Sequence, residues 1–201
     1  MRAMWLGELI GERCLACGGG GAPLCTSCRA SLRRCSQASL PGGVASVAAA
    51  WSHEGPARAL ILALKLRGLR SATGPLVEGM TEAALRGGLA GTIVTWVPGG
   101  SPGIKARGFD HAELLARGLA HRLGLRALPL LERRRASPDQ ASLSARARAQ
   151  NARTSFSARS SPPEVVLVDD LITTGATAAA CAAALRAAGG HRVEMVVATR
   201  A

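Results

Sequence analysis

The sequence predicts an α/β fold: a parallel sheet flanked by helices, with a small four-cysteine module ahead of it. Three observations carry this. From residue 37 onward, short apolar runs alternate with stretches of helical periodicity, the pattern of strands joined by crossover helices. The run EVVLVDD, residues 164–170, is apolar on both faces, as a strand in the middle of a parallel sheet must be. Cys14, Cys17, Cys25 and Cys28 form two C-x-x-C pairs near the N-terminus. The expected division is 1–36 for the cysteine module and 37–201 for the α/β domain, and 201 residues suit one such domain with an appendage.

The elements follow in order. VASVAAAW (44–51) is the first strand. GPARALILALKLRG (55–68) has apolar residues at helical spacing, with Pro56 placed in a first turn and Gly68 at the stop. A second helix is expected over 74–86, ending in Gly87 and Gly88, and TIVTWVP (92–98) is a compact strand ended by Pro98. GGSPGIKARGF is then a Gly- and Pro-rich loop of the kind that carries function at the carboxyl edge of an open sheet. Asp110 to Leu123 reads as helix, RALPLL as a short strand, and 132–161 as irregular, basic and mobile. After EVVLVDD come a helix over 175–189 and a last strand, RVEMVVATR. Strand, loop and helix, repeated, give a doubly wound sheet.

Hydrophobic residues make up 48% of the chain and charged residues 19%, a globular composition, and no apolar run approaches a membrane span. The first residues, MRAMWLGELIGERC, carry Glu8 and Glu12 and lack the pattern of a signal peptide, so a cytoplasmic protein without membrane insertion is expected. A net charge of +12 points to an anionic partner, nucleic acid or a phosphorylated small molecule. All the basic residues but Lys65 and Lys105 are arginines, which a biased genome composition also produces. Arg133, Arg134 and Arg135, with Arg146, Arg148 and Arg153, form the strongest local clusters, and a solvated face accounts for them equally.

Cysteines in a chain without an export signal are reduced, which favours metal binding or burial over disulfides. Each C-x-x-C turns two thiolates toward one point, and a structural zinc takes four. The stretch Gly18 to Gly21 is flexible enough to fold the second pair back onto the first. Cys14, Cys17, Cys25 and Cys28 are therefore the expected zinc ligands. Cys181, in an alanine-rich helical stretch, is expected to be a buried small hydrophobe.

The string VVLVDDLITTGAT holds the chemistry. Asp169 and Asp170 stand at the carboxyl end of the central strand, where such sheets bind ligands. Thr173, Thr174, Gly175, Ala176 and Thr177 form the turn that opens the next helix, where backbone N–H groups, hydroxyls and the positive end of the helix dipole converge on an anion. Carboxylates repel phosphate, so a ligand with phosphate at one end and hydroxyls at the other fits, with Mg²⁺ nearby. A ribose 5-phosphate has that shape. No lysine lies in this turn, which excludes a Walker loop, and a single glycine excludes a dinucleotide fingerprint.

VVLVDDLITTGAT resembles the 13-residue motif of type I phosphoribosyltransferases, which bind 5-phosphoribosyl 1-diphosphate (PRPP). The resemblance implies that Asp169 and Asp170 hold the ribose hydroxyls and that Thr173 to Thr177 hold the 5-phosphate. The cysteine pairs, GPARALILALKLRG, KARGFDHAELLARGLAHRLGL and DQASLSARARAQNARTSF occur in the order seen in the ComF family, and this likeness spans essentially the whole chain. It implies a type I phosphoribosyltransferase-like fold and a link to natural competence, the uptake and handling of single-stranded DNA, with a competence helicase as partner. It also implies a mobile segment bearing Asp139, Gln140, Arg146 and Asn151. The loop after TIVTWVP reads GGSPG where the family shows a His-Pro-Arg type sequence; Lys105 and Arg107 are then the cations for the diphosphate, with Mg²⁺ bridging diphosphate and ribose oxygens. Two functional classes stay open: a PRPP-binding scaffold that handles DNA, and an active phosphoribosyltransferase that passes ribose 5-phosphate to a nucleobase or amine with release of pyrophosphate.

Overall fold

A computed structural model describes residues 13–21, 23–35, 40–100, 104, 108–134 and 155–201. Lys105, Arg107, Asp139, Gln140, Arg146 and Asn151 lie outside them.

Five strands form one parallel sheet. They are β1 (Ser46–Ser52), β2 (Ile93–Trp96), β3 (Arg126–Ala127), β6 (Glu164–Ile172) and β7 (Arg192–Arg200), in the order β1-β7-β6-β2-β3. A second, antiparallel pair joins β4 (Leu131–Arg133) to β5 (Phe156–Ala158). The helices are α1 (Thr26–Ala30), α2 (Gly55–Lys65), α3 (Thr73–Gly87), α4 (His111–Leu123) and α5 (Ala176–Ala187), with a 3₁₀ turn at Arg70–Ala72.

The expected α/β class and the central place of the VVLVDD strand are borne out. Alternation along β6 feeds two cores. Val166 and Val168 pack with α2, α3 and α4 residues such as Leu64, Leu76 and Leu115, whereas Val165 and Leu167 pack on the other face with Cys181, Leu185 and Phe156. A strand buried on both faces has no polar side to spare, which is why its sequence does not alternate.

Three sequence expectations need correction. The segment 132–161 is not irregular throughout, because its two ends pair as β4 and β5, with Arg133 opposite Phe156. The central strand also continues two residues past Asp170 to Ile172, because β7 keeps pairing with it as far as Ile172↔Arg200. The α2 helix stops at Lys65, short of Gly68, which takes a left-handed turn at φ 67°.

The topology locates a crevice. β2 leads through α4 to β3 on one side, and β6 leads through α5 to β7 on the other, with α4 and α5 on opposite faces. The chain therefore parts between β2 and β6, the position at which open α/β sheets bind ligands. Pairing between the two strands runs only to Trp96↔Val168, extended by a bond from the Val97 N–H to the Val168 carbonyl at 3.0 Å. Pro98 follows, a residue that cannot donate to a ladder. Past this point no described residue pairs with the β2-facing edge of β6 at Asp169 and beyond.

Candidate ribose-phosphate site and four-cysteine centre

Asp170 continues the row of Val166 and Val168 and points to the α2/α4 face. It is buried, at 3% exposure, and two elements meet it there. Lys65, the last residue of α2, places Nζ 3.1 Å from Oδ2, and His111, the first residue of α4, places Nε2 3.5 Å from Oδ1. Burial pushes the Asp170 carboxyl up, but the His111 hydrogen bond and the Lys65 charge outweigh it and hold the group well below the usual carboxylate range. The Asp170 carbonyl accepts from Thr199 Oγ1 at 3.2 Å, and Thr199 in turn meets His53 Nδ1 at 2.9 Å.

Asp169 starts on the opposite face, yet its carboxylate turns back and accepts the Asp170 N–H at 2.8 Å. One ligand atom each from His111, Asp169 and Asp170 lie within 4.8 Å of one another. Burial, reinforced by the neighbouring Asp170 charge, raises the Asp169 carboxyl well above its ordinary value. The two aspartates therefore divide the work: Asp170 is a fixed anion neutralised from below, and Asp169, half-buried, faces the crevice with a carboxyl whose proton is easily kept.

The loop Thr173–Thr177 follows directly. Gly175 takes φ 75° as the residue before α5, and a Cβ there would come 2.8 Å from the Pro41 ring, so glycine is required twice over. The first intrahelical bond runs from the Ala179 N–H to the Gly175 carbonyl, which leaves the N–H groups of Ala176, Thr177 and Ala178 without an intrahelical acceptor. Thr174 Oγ1 accepts weakly from Ala176 at 3.4 Å, and Thr173, Thr174 and Thr177 are exposed. An anion seated here meets backbone donors, hydroxyls and the helix dipole together.

A cavity of about 340 Å³ is lined by Asp169, Asp170, Thr173, Thr177, Lys65 and His111, by Pro98 to Gly100 after β2, and by Arg133; a hollow of about 50 Å³ formed by Thr173 to Ala178 adjoins it at Asp169, Thr173 and Thr177. Two larger hollows, of about 450 and 480 Å³, run along β1 and beside β4 and β5, and neither is lined by paired carboxylates. The rim after β2 is fixed by Asp110, the residue preceding α4, which accepts from the Gly99 N–H at 2.8 Å and from the Ala112 N–H at 3.0 Å.

The structure brings the sequence-expected aspartates and the hydroxyl loop side by side and adds Lys65 and His111, which sequence reasoning missed as their partners. A signal for Lys65 was present: it is one of two lysines in a chain that otherwise uses arginine for its positive charge.

At the other end of the molecule the four cysteine sulfurs lie within 4.8 Å of one another. The Gly18 N–H bonds the Cys14 carbonyl and the Cys14 N–H bonds the Gly19 carbonyl, closing the first turn; Cys25 precedes α1 and brings Cys28 round on one helical turn. Cys17 and Cys25 sulfurs are 3.8 Å apart. Tetrahedral Zn–S bonds of about 2.3 Å put sulfurs about 3.8 Å apart, so the spacing fits that ion. Burial raises the Cys14 thiol, but backbone N–H donors, Cys25 first, bring it down to about 6. Hydrogen bonding with Cys17 and burial push Cys28 up to about 12. Four thiols held this close cannot all ionise unless a cation joins them. Cys14 and Leu24 belong to the same core as α2, α3 and α4, and Arg29 of α1 meets Glu78 of α3 at 2.7 Å.

No family model matches the chain, and no curated protein matches it. Solved structures do. The chain is similar to the glutamine phosphoribosylpyrophosphate amidotransferase of B. subtilis complexed with ADP and GMP, at 26% identity and a TM-score of 0.46, over 64% of this chain and 26% of that one. An allosteric regulatory enzyme of purine biosynthesis gives the same figures. Adenine phosphoribosyltransferase from Leishmania tarentolae aligns at 17% identity and a TM-score of 0.37, over 67% of this chain and 58% of that one. The chain thus spans about a quarter of the length of the first two. Among the described residues no helix is long and apolar enough to cross a membrane.

Proposed function

We propose that the chain is a PRPP-binding protein of phosphoribosyltransferase type, with the ribose held at the end of β6 and its 5-phosphate on the loop that opens α5. The observation that carries this reading is that the cavity at the parting of β2 and β6 is lined by both aspartates and by Thr173 and Thr177, and that these two threonines and Asp169 also line the small hollow formed by the rest of the hydroxyl loop. The 5-phosphate takes the N–H groups of Ala176 to Ala178 and the hydroxyls of Thr173, Thr174 and Thr177. The ribose hydroxyls donate to Asp169, and those bonds together with a bound cation favour its carboxylate form against burial and the neighbouring Asp170 charge, while Asp170 is held by Lys65 and His111. The diphosphate extends toward the residues after β2, where Lys105 and Arg107 are its assigned cations. The carboxylate oxygens suit a hard cation, and Mg²⁺, when bound, neutralises diphosphate charge and fixes its orientation. With Lys65 already on Asp170, Asp169 supplies the protein oxygen for it.

The four cysteines are assigned to a structural zinc: a catalytic site keeps an open position, and four thiolates leave none. The metal module is assigned to residues 1–36 and the binding domain to 37–201. The ComF resemblance supports a role in handling single-stranded DNA during natural competence, alongside a helicase, and the net charge of +12 supports an anionic macromolecule as second ligand.

A calorimetric titration with PRPP, with and without Mg²⁺ and with single-stranded DNA as second ligand, tests the reading. Binding is expected to strengthen with Mg²⁺ and to weaken by at least about tenfold in Asp169→Asn/Asp170→Asn, since each lost charged hydrogen bond costs about 1.5–3 kcal/mol. Equal PRPP affinity in the double variant sinks the site assignment. DNA binding that is absent at low salt removes the competence role and leaves the small-molecule site standing.

A further inference from the structure

We propose that Arg133 grips the diphosphate end of the ligand in addition to the cations assigned above, Lys105 and Arg107, which makes the β4/β5 ribbon part of the binding site. This rests on the PRPP reading above and names a residue which that reading leaves unassigned. Arg133 ends β4, and its guanidinium carbon lies 4.8 Å from the ring centre of Phe156, its cross-strand partner. Its Nε donates to the Pro98 carbonyl at 3.2 Å, tying the side chain to the exit of β2. Phe156 is itself buried in the α5-side core, so the platform under the guanidinium is rigid. Arg133 is nonetheless exposed and lines the same cavity as Asp169, Thr173 and Thr177.

A ligand with phosphate at both ends sets two anions in this cavity. The first is satisfied at the α5 end. The second faces the β2 side, where the backbone offers less than the glycines suggest: the Gly99 N–H is already given to Asp110. Of the described residues lining the cavity, Lys65 and Arg133 carry positive charge. Lys65 lies on Asp170 at 3.1 Å, on the other face of the sheet. Arg133 forms no ion pair among the described residues. Among the described residues its one directed bond uses Nε, so both terminal nitrogens are offered to phosphate oxygens in the fork geometry that arginine provides and lysine does not. Stacking on Phe156 and the bond to Pro98 order the side chain before the ligand arrives, so little rotamer entropy is lost on binding.

The test compares PRPP with ribose 5-phosphate, which lacks only the diphosphate, by calorimetry on four proteins. These are the wild type, Arg133→Met, which keeps the stem over Phe156 and removes the charge, Arg133→Lys, which keeps the charge and removes the fork, and Arg159→Met, an equal loss of charge just beyond β5. Arg133→Met is expected to weaken PRPP about 10- to 100-fold and ribose 5-phosphate less than about twofold, since hydrogen bonds to charged groups fall in that range. Arg133→Lys should fall between, and Arg159→Met should leave both affinities unchanged. Equal weakening of both ligands by Arg133→Met would show a structural role and overturn the proposal, as would unchanged PRPP affinity. Wild-type protein that binds both ligands equally overturns the diphosphate grip and leaves the ribose-phosphate site intact, whereas wild type that binds neither overturns the site and the grip together.

Discussion

Asp169 and Asp170 are adjacent, chemically identical, and electrostatically opposed. Asp170 is depressed by Lys65 and His111, so its contribution to stability is present above the unfolded carboxylate value of about 3.9 and is lost as pH falls through its folded value. Asp169 is raised, so its contribution is present below about 3.9 and is lost as pH rises through its folded value; at neutral pH its charge costs stability. Asp169→Asn is therefore expected to raise the Tm at pH 7, a gain that disappears in acid, and its amide oxygen can still accept the Asp170 N–H. Asp170→Asn is expected to lower stability at pH 7 by about 1–2 kcal/mol, less than a fully buried pair would lose, because Lys65 is 40% exposed and solvent screens it. Thermal melts of both variants from pH 4 to 8 check this, and shifts of the same sign at pH 7 would contradict it. The aspartates were legible because their partners in the motif are their chain neighbours. Lys65 lies 105 residues away on α2, and no periodicity links it to β6.

At the level of elements, the long parallel strands and their helices could be read because their signals are internal: Val165 to Val168 for β6, and Pro56 at the start of α2. The β4/β5 ribbon was not legible. Each strand has three residues and earns its place only by pairing across the segment between them and by packing Leu131 and Phe156 against α5. That packing turns an apparent loop into a wall of the cavity and sets Arg133 on it. The end of β6 was also misjudged by two residues, since the pairing that prolongs it belongs to β7. Gly175 is legible as part of the turn that opens α5; its left-handed conformation and the Pro41 ring behind it are tertiary and invisible in one dimension.

Across the whole molecule, the four-cysteine centre and the α/β domain share one core through Cys14 and Leu24. Metal bound there is free energy of folding for the module and, through those contacts, for the face of the sheet that carries Asp170. Zinc is expected in a one-to-one ratio with the chain, and chelation should lower the melting temperature of the whole protein and weaken PRPP binding with it. Elemental analysis and melts with and without chelator read this out; a metal-free native preparation with an unchanged melt would remove the zinc assignment. The composition showed the charge, and the cysteine pairs pointed to the four-cysteine cluster. Neither showed that the module rests on α2 and α3, because that contact depends on the Arg29–Glu78 bridge and on two buried side chains.

The central claim is that β6 and the loop after it hold the two ends of a ribose 5-phosphate. A crystal structure of the protein grown with PRPP and Mg²⁺ tests it most directly. The account predicts the 5-phosphate within hydrogen-bond distance of the Ala176 to Ala178 N–H groups and the ribose hydroxyls on Asp169. A ligand seated elsewhere, with that loop and Asp169 untouched, would contradict it.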